Sequence, residues 1–153
     1  MSSGTERDAL PEAVVHHLDG TAITVGSTIG DDGHPYTMVM NSAVAVDDRT
    51  IRFALDHRTK TLAYLKQRPH MALEVIGDGF IVGVRGPVRI LKDLMDHCPV
   101  PSALVQLDVE AVKSDLPPGV QVTAPTFTWG ALGQYMDKVE PAMFDEIRTA
   151  TAP

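Results

Sequence analysis

A single cysteine, Cys98, in a chain of 153 residues excludes an intrachain disulfide and the repeated Cys/His spacing that structural zinc sites need. Basic residues are outnumbered, 13 Lys and Arg against 20 Asp and Glu, for a formal charge of −7. That balance argues against a nucleic-acid partner, because phosphate-backbone binders carry clustered cations that displace counterions. No apolar run approaches the roughly 20 residues needed to span a bilayer, and the polar start Met1 to Asp8 lacks a secretory signal's apolar stretch. The expectation is a cytoplasmic protein with no membrane partner. Internal repeats and low-complexity segments are also missing.

What remains is enough chain for one domain over 1–153 with one substantial core. Residues 1–8 read as a flexible leader. Leu10, Val14, Val15 and Leu18 recur at helical spacing until Gly20 stops the pattern. Ile23, Val25 and Ile29 then alternate with polar or small residues, the period of a half-buried strand, and Gly30, Asp31, Asp32 and Gly33 form a turn. A second strand is expected from Tyr36 through Asn41, extending as far as Val46, and a third from Ile51 to Asp56.

Helical spacing returns from Thr59 to Gln67, with Thr59 as N-cap and Pro69 beyond the end. Met71, Leu73 and Val75 predict another strand, Gly77 to Gly79 a hairpin turn, and Phe80 to Ile90 a long return strand interrupted at Gly83, Gly86 and Pro87. A helical turn is expected over Lys92 to His97 and a strand from Ala103 to Val112. Pro117, Pro118 and Gly119 reverse the chain, and Val120, Val122, Phe127 and Trp129 read as a final extended segment. Pro141 reads as the first residue of a terminal helix, with 141–153 as helix and tail. Short strands with tight turns predict a mainly β fold, a six- or seven-stranded antiparallel barrel with a few short helices.

The densest chemistry is His57, Arg58, Thr59, Lys60 and Thr61, at a strand end and the first turn of a helix. Free backbone N–H groups and the helix dipole favour an anion there, Arg supplies a fork, Lys a point charge and Thr short donors. A terminal phosphate satisfies all of them. The bland alternative is a capped helix start with solvated charges. Met38 and Met40 share one strand face, which suits either a flat ligand or the core, the commoner use of methionine. His16, His17, His34, His57, His70 and His97 show no metal-ligand spacing, and Cys98 has no partners in a triad order. No metal site and no catalytic side chain are predicted.

The succession of strand, turn with Asp31, Asp32, Gly33 and Pro35, two further strands, a basic hydroxyl-rich helix start, Leu65 and Pro69, and a strand pair ending in Gly86 resembles the pyridoxamine-phosphate-oxidase-like FMN-binding split barrels. The resemblance covers Ala22 to Ile90, so 22–90 is the expected cofactor-binding core. It implies that Arg58, Thr59 and Lys60, with His57 and Thr61 beside them, hold the FMN phosphate. It further implies that Thr37, Met38, Val39, Met40 and Asn41 run beside the isoalloxazine ring, with Asn41 or Ser42 at its polar edge.

Family members carry a lysine where Thr61 stands and an asparagine where Tyr64 stands. The Trp, Arg and His signature of the vitamin oxidases is missing, since Trp129 is followed by Gly130 and Ala131. The implied function is therefore an FMN-dependent oxidoreductase moving hydride or electrons between a nicotinamide donor and a small organic substrate, not the vitamin oxidase. It would work as a homodimer with cofactor at the interface. Deazaflavin, with Arg85 and Arg89 near its longer tail, is one alternative, and a noncatalytic flavin- or haem-binding protein is another.

Overall fold

A computed structural model describes residues 5–123, 127 and 129–152. In chain order the elements are α1 (Glu12–His17), β1 (Thr24–Ile29), β2 (Pro35–Met40), β3 (Val44–Asp47), β4 (Thr50–Asp56), α2 (Lys60–Gln67), β5 (His70–Gly77), β6 (Phe80–Lys92), β7 (Ser102–Asp108), β8 (Ala111–Ser114) and α3 (Gly133–Thr149). The strands pair antiparallel in the order β2-β1-β5-β6-β7-β4-β3, and β8 adds to β6 off this path. The fold is mainly β, as expected.

Eight strands replace the expected six or seven because two runs that read as single strands each change partner midway. Residues 35–40 pair with β1, whereas Val44 onward pairs with β4. Between them the Ser42 hydroxyl accepts from the Ala54 N–H at 3.1 Å and donates to the Ala54 carbonyl at 3.3 Å, standing in for a backbone pair. The run after Ala103 splits at Val109 and Glu110, where the Val109 N–H turns to the Arg49 carbonyl. No ladder joins β2 to β3, so the sheet does not close by hydrogen bonding. Instead the Gly20 N–H bonds to the Ala43 carbonyl and the Ala45 N–H to the Leu18 carbonyl, seating the end of α1 in the gap.

The 13-residue β6 carries the fold from one half to the other. Its first part, Phe80 to Pro87, lies against β5, and Val88 to Lys92 moves to β7. Pro87 has no N–H to donate, which suits the point of exchange. Gly86 sits so close to the crossing backbone that an added Cβ would lie 1.8 Å from the Asp108 carbonyl oxygen. The interruptions expected at Gly83, Gly86 and Pro87 thus leave the strand continuous, and Gly86 and Pro87 mark where its partners change.

One core fills the barrel, with Phe53, Leu55, Leu73, Val75, Val105 and Leu107 meeting Leu62 and Leu65 of α2. A second lies outside β4 and β7, where Leu104 and Val44 meet Met143, Phe144 and Ile147 of α3. This explains why β7 is buried on both faces. Arg52 fixes the end of α3 by donating to the carbonyls of Ile147, Arg148 and Ala150, the groups that lack acceptor bonds at a helix C-terminus. Glu146, buried within the helix, accepts from the Asp96 N–H at 2.7 Å, the His97 N–H at 2.9 Å and Lys92 Nζ at 3.0 Å. Burial alone would raise its carboxyl, but these donors outweigh burial and lower it below its usual value.

Three expectations are corrected. Residues 92–97 form no helical turn, because the Glu146 carboxylate takes up their backbone donors. Val120, Val122, Phe127 and Trp129 lie in no strand, although the Gly79 N–H reaches the Val122 carbonyl; residues 124–126 and 128 lie outside the described part. The terminal helix begins at Gly133, so Pro141 lies inside it, carried by the apolar stripe Met136, Met143, Phe144 and Ile147. Within the expected leader, Arg7 exchanges both backbone bonds with Val112 and extends the sheet beyond β8. Among the described residues, no helix is long and apolar enough to cross a membrane.

Candidate functional site

The junction between β4 and α2 is built by Thr59. Its hydroxyl donates to the Asp56 carbonyl at 2.8 Å and accepts from the Leu62 N–H at 3.4 Å, which caps the helix as the sequence predicts. Thr61 is 1% exposed, so its side chain belongs to the core under the helix and not to the surface. The N–H groups of Lys60 and Thr61 lie in the first turn, where no intrahelical acceptor exists. The exposed Lys60 forms no ion pair among the described residues, and the His57 ring contacts the Asp93 carbonyl.

Arg58 is not a free cation. Its Nη2 lies 2.6 Å from Asp56 Oδ2, its Nε is 3.1 Å from both carboxylate oxygens, and its backbone N–H donates to Oδ1 at 2.8 Å. Arg58 holds the Asp56 carboxyl down to about 2, so the pair stays ionised through neutral pH. With Asp56 neutralising one of two cations, Arg58 and Lys60 leave the junction one net positive charge. The Arg58 side chain is 81% exposed, so its guanidinium can still meet an anion from the solvent side.

The β2 residues divide by parity. Met40 is buried and Met38 packs against the barrel core, which settles their shared face as interior. Thr37 and Val39 face outward, Val39 with 65% of its surface exposed. Their outward row continues through Ser27 opposite Thr37, Ala72 opposite Ser27, Arg85 opposite Ala72 and Ala111 opposite Arg85. This small-residue floor opens into a groove of about 590 Å³ that also takes in Ile29, Pro35 and His70. Arg85 pairs there with Glu6 at 3.0 Å, and Arg89 pairs elsewhere with Asp108. On the same face Glu74 keeps one carboxylate oxygen buried without a partner, and burial, with Asp115 adding to it, pushes its carboxyl up.

Asn41 and Ser42 line a different cavity of about 180 Å³ with Ala54, Asp56, Cys98, Ser102, Trp129, Met136, Glu140 and Met143. Through Asp56 this cavity meets the junction, since the residue that holds Arg58 is part of its lining. The structure therefore brings Asn41 and Ser42 to the basic helix start, while Thr37 and Val39 lie on the outer sheet face. Sequence reading missed Asp56, Glu74 and Glu140. The pattern of Asp56, Arg58 and Thr59 at a strand end could have disclosed the first, since an Asp two residues before an Arg in a turn can accept both its N–H and its guanidinium. Nothing local marks the other two.

No protein-family model and no curated protein matches this chain. Solved structures do. A candidate pyridoxamine 5'-phosphate oxidase from Lactobacillus delbrueckii superposes with a TM-score of 0.60 at 17% identity, over 72% of this chain and 98% of that one. An F420 reductase superposes at 0.57 and 19% identity, over 68% and 98%. A FAD-binding protein from Mesorhizobium loti superposes at 0.53 and 15% identity, over 73% and 99%.

Proposed function

From a chain whose fold is the pyridoxamine 5'-phosphate oxidase-like split barrel, we propose a flavin-binding oxidoreductase that holds the phosphate of FMN at Arg58, the Thr59 cap and Lys60. The observation that carries this reading is the junction itself: a capped helix start with a net positive charge, whose Asp56 also walls the cavity containing Asn41 and Ser42. Arg58, steered by Asp56, presents its guanidinium outward, Lys60 adds a point charge, and the first-turn N–H groups donate to an anion. Thr61 and Met40 are too buried to touch the cofactor and act beneath it as packing.

FMN would supply two-electron chemistry to a nicotinamide donor and a small organic acceptor. The chain's residues bind and orient it. Thr37 and Val39 offer a flat outward strip for the ring, and the Asn41 side chain lies at the end of that strand. The Ser42 hydroxyl is committed to Ala54, which leaves Asn41 as the polar group at the ring edge. The groove beside Thr37 and the cavity at the junction have separate linings. A homodimer would complete the site, and exposed Ile29, Tyr36 and Val39 on β1 and β2 are suited to meet a second copy.

Replacing Arg58 and Lys60 together by Ala is expected to weaken FMN binding about tenfold, as measured by quenching of flavin fluorescence. Charge-assisted bonds contribute about 1.5–3 kcal/mol each when well formed, and the high exposure of Arg58 with its prior bond to Asp56 places the expectation at the low end. Unchanged affinity would remove the junction from the site.

A further inference from the structure

The cavity beneath α3 touches the flavin reading only through Asn41 and Asp56, and the rest of its lining has a chemistry of its own. Its lining combines Met136, Met143, Trp129 and Cys98 with Asn41, Ser42, Ser102 and two acidic residues, Asp56 and Glu140. Among the described residues, no Lys, Arg or His lines it. Asp56 is neutralised from outside by Arg58. Glu140 is not: its Oε1 accepts the Trp129 indole N–H at 2.6 Å, and among the described residues it forms no ion pair.

A carboxylate held by an indole beside thioethers is an incomplete electrostatic arrangement, and a cation with an apolar body completes it. An aromatic face favours such a ligand over a neutral one, and adaptable methionine side chains pack against its apolar part. A phosphate or carboxylate ligand would meet like charge instead. The volume of about 180 Å³ sets the size, since a cavity of about 150 Å³ takes a benzene ring. One ring with a short aminomethyl arm fits, whereas a tricyclic flavin ring does not.

We propose that this cavity is a binding site for a small monocyclic or short-chain amine, with Glu140 receiving the ammonium group and Met136, Met143 and Trp129 enclosing the apolar part. The site lies on this chain alone and is independent of whether FMN binds at Arg58. Its position behind Asp56 would place the amine next to the flavin anchor.

Trp129 is the only tryptophan in the chain, so its fluorescence reports on the cavity directly. Benzylamine, benzyl alcohol and benzoate are matched in size and differ in charge, and each is titrated into the purified full-length protein. Benzylamine is expected to change the Trp129 emission saturably and to bind at least tenfold more tightly than benzyl alcohol, with benzoate weakest. Glu140→Gln keeps an acceptor for the indole N–H and should bring benzylamine and benzyl alcohol to within about twofold of each other while leaving the benzyl alcohol affinity in place. The proposal is overturned if benzylamine gives no saturable change, if the wild-type protein binds amine and alcohol alike, or if Glu140→Gln keeps the preference. Should that variant not fold, the wild-type ranking of the three probes decides alone. Flavin quenching is a separate signal, so failure here and failure of the FMN reading can be told apart.

Discussion

Gly86→Ala is expected to destabilise the protein by about 3 kcal/mol or more, the upper part of the range for overpacking. Its Cβ would lie 1.8 Å from the Asp108 carbonyl oxygen and 3.3 Å from the Glu110 nitrogen, both backbone atoms where the chain passes from β7 to β8, and the Glu110 N–H is bonded to the Arg85 carbonyl of β6. Neither can step aside without breaking the exchange of partners that joins the two halves of the barrel. For a chain of this length the loss corresponds to about 6–12 °C in thermal midpoint. Gly83→Ala is the internal control. On the same strand an added Cβ would meet Asp115 Oδ2 at 2.6 Å and Lys113 Cε at 3.3 Å, side-chain atoms that can rotate away. That variant should cost under about 1 kcal/mol. Equal losses at the two glycines would contradict the close-approach account of Gly86.

The second large effect is expected at Glu146. Removing the buried carboxylate by Glu146→Ala takes the acceptor from the Asp96 and His97 N–H groups and deprives Lys92 of one of its two partners. Breaking a buried pair costs about 3–5 kcal/mol, but Lys92 retains Asp96 and a third of its surface, which reduces the expectation to about 2–3 kcal/mol. The pH dependence follows from the direction of the shift. The folded carboxyl lies below its ordinary value of 4.5, so its contribution is complete above that pH and declines as pH falls through the folded value. Denaturation midpoints of wild type and Glu146→Gln should therefore differ most above pH 5 and converge in acid. A gap that widened as pH fell would contradict the assigned bonds.

Much of the barrel was legible because its signals are local. The Thr59 cap, the alternation in β1, β4 and β5, and the Gly77 to Gly79 turn each follow from neighbouring residues. The division of β2 from β3 was not, since the alternating pattern runs on while the partner changes, and that change depends on Ala54 bonding to Ser42. Likewise Pro141 is a sound helix-start signal in isolation, overruled by Met136 and Met143 burying one continuous face on either side of it. The role of Arg52 was not legible either, because its acceptors at Ile147 to Ala150 lie almost a hundred positions away.

In the site, residue types at the helix start were legible and their states were not. Nothing in the order His57, Arg58, Thr59, Lys60 and Thr61 reveals that Thr61 faces the core, and the hold of Asp56 on Arg58 shows only when the strand end before them is read with them. The parity of β2 was readable, but which parity faces inward is decided by the partner strands. Met38 and Met40 fall inside, and Thr37 and Val39 outside.

The phosphate anchor is tested most directly by comparing FMN with riboflavin, which differ only in the phosphate, on the wild-type protein and on the Arg58→Ala, Lys60→Ala double variant. The account predicts that wild type binds FMN about tenfold more tightly than riboflavin and that the double variant loses this preference while its riboflavin affinity stays unchanged. Equal affinity for the two flavins in wild type, or a preference that survives in the double variant, would contradict it.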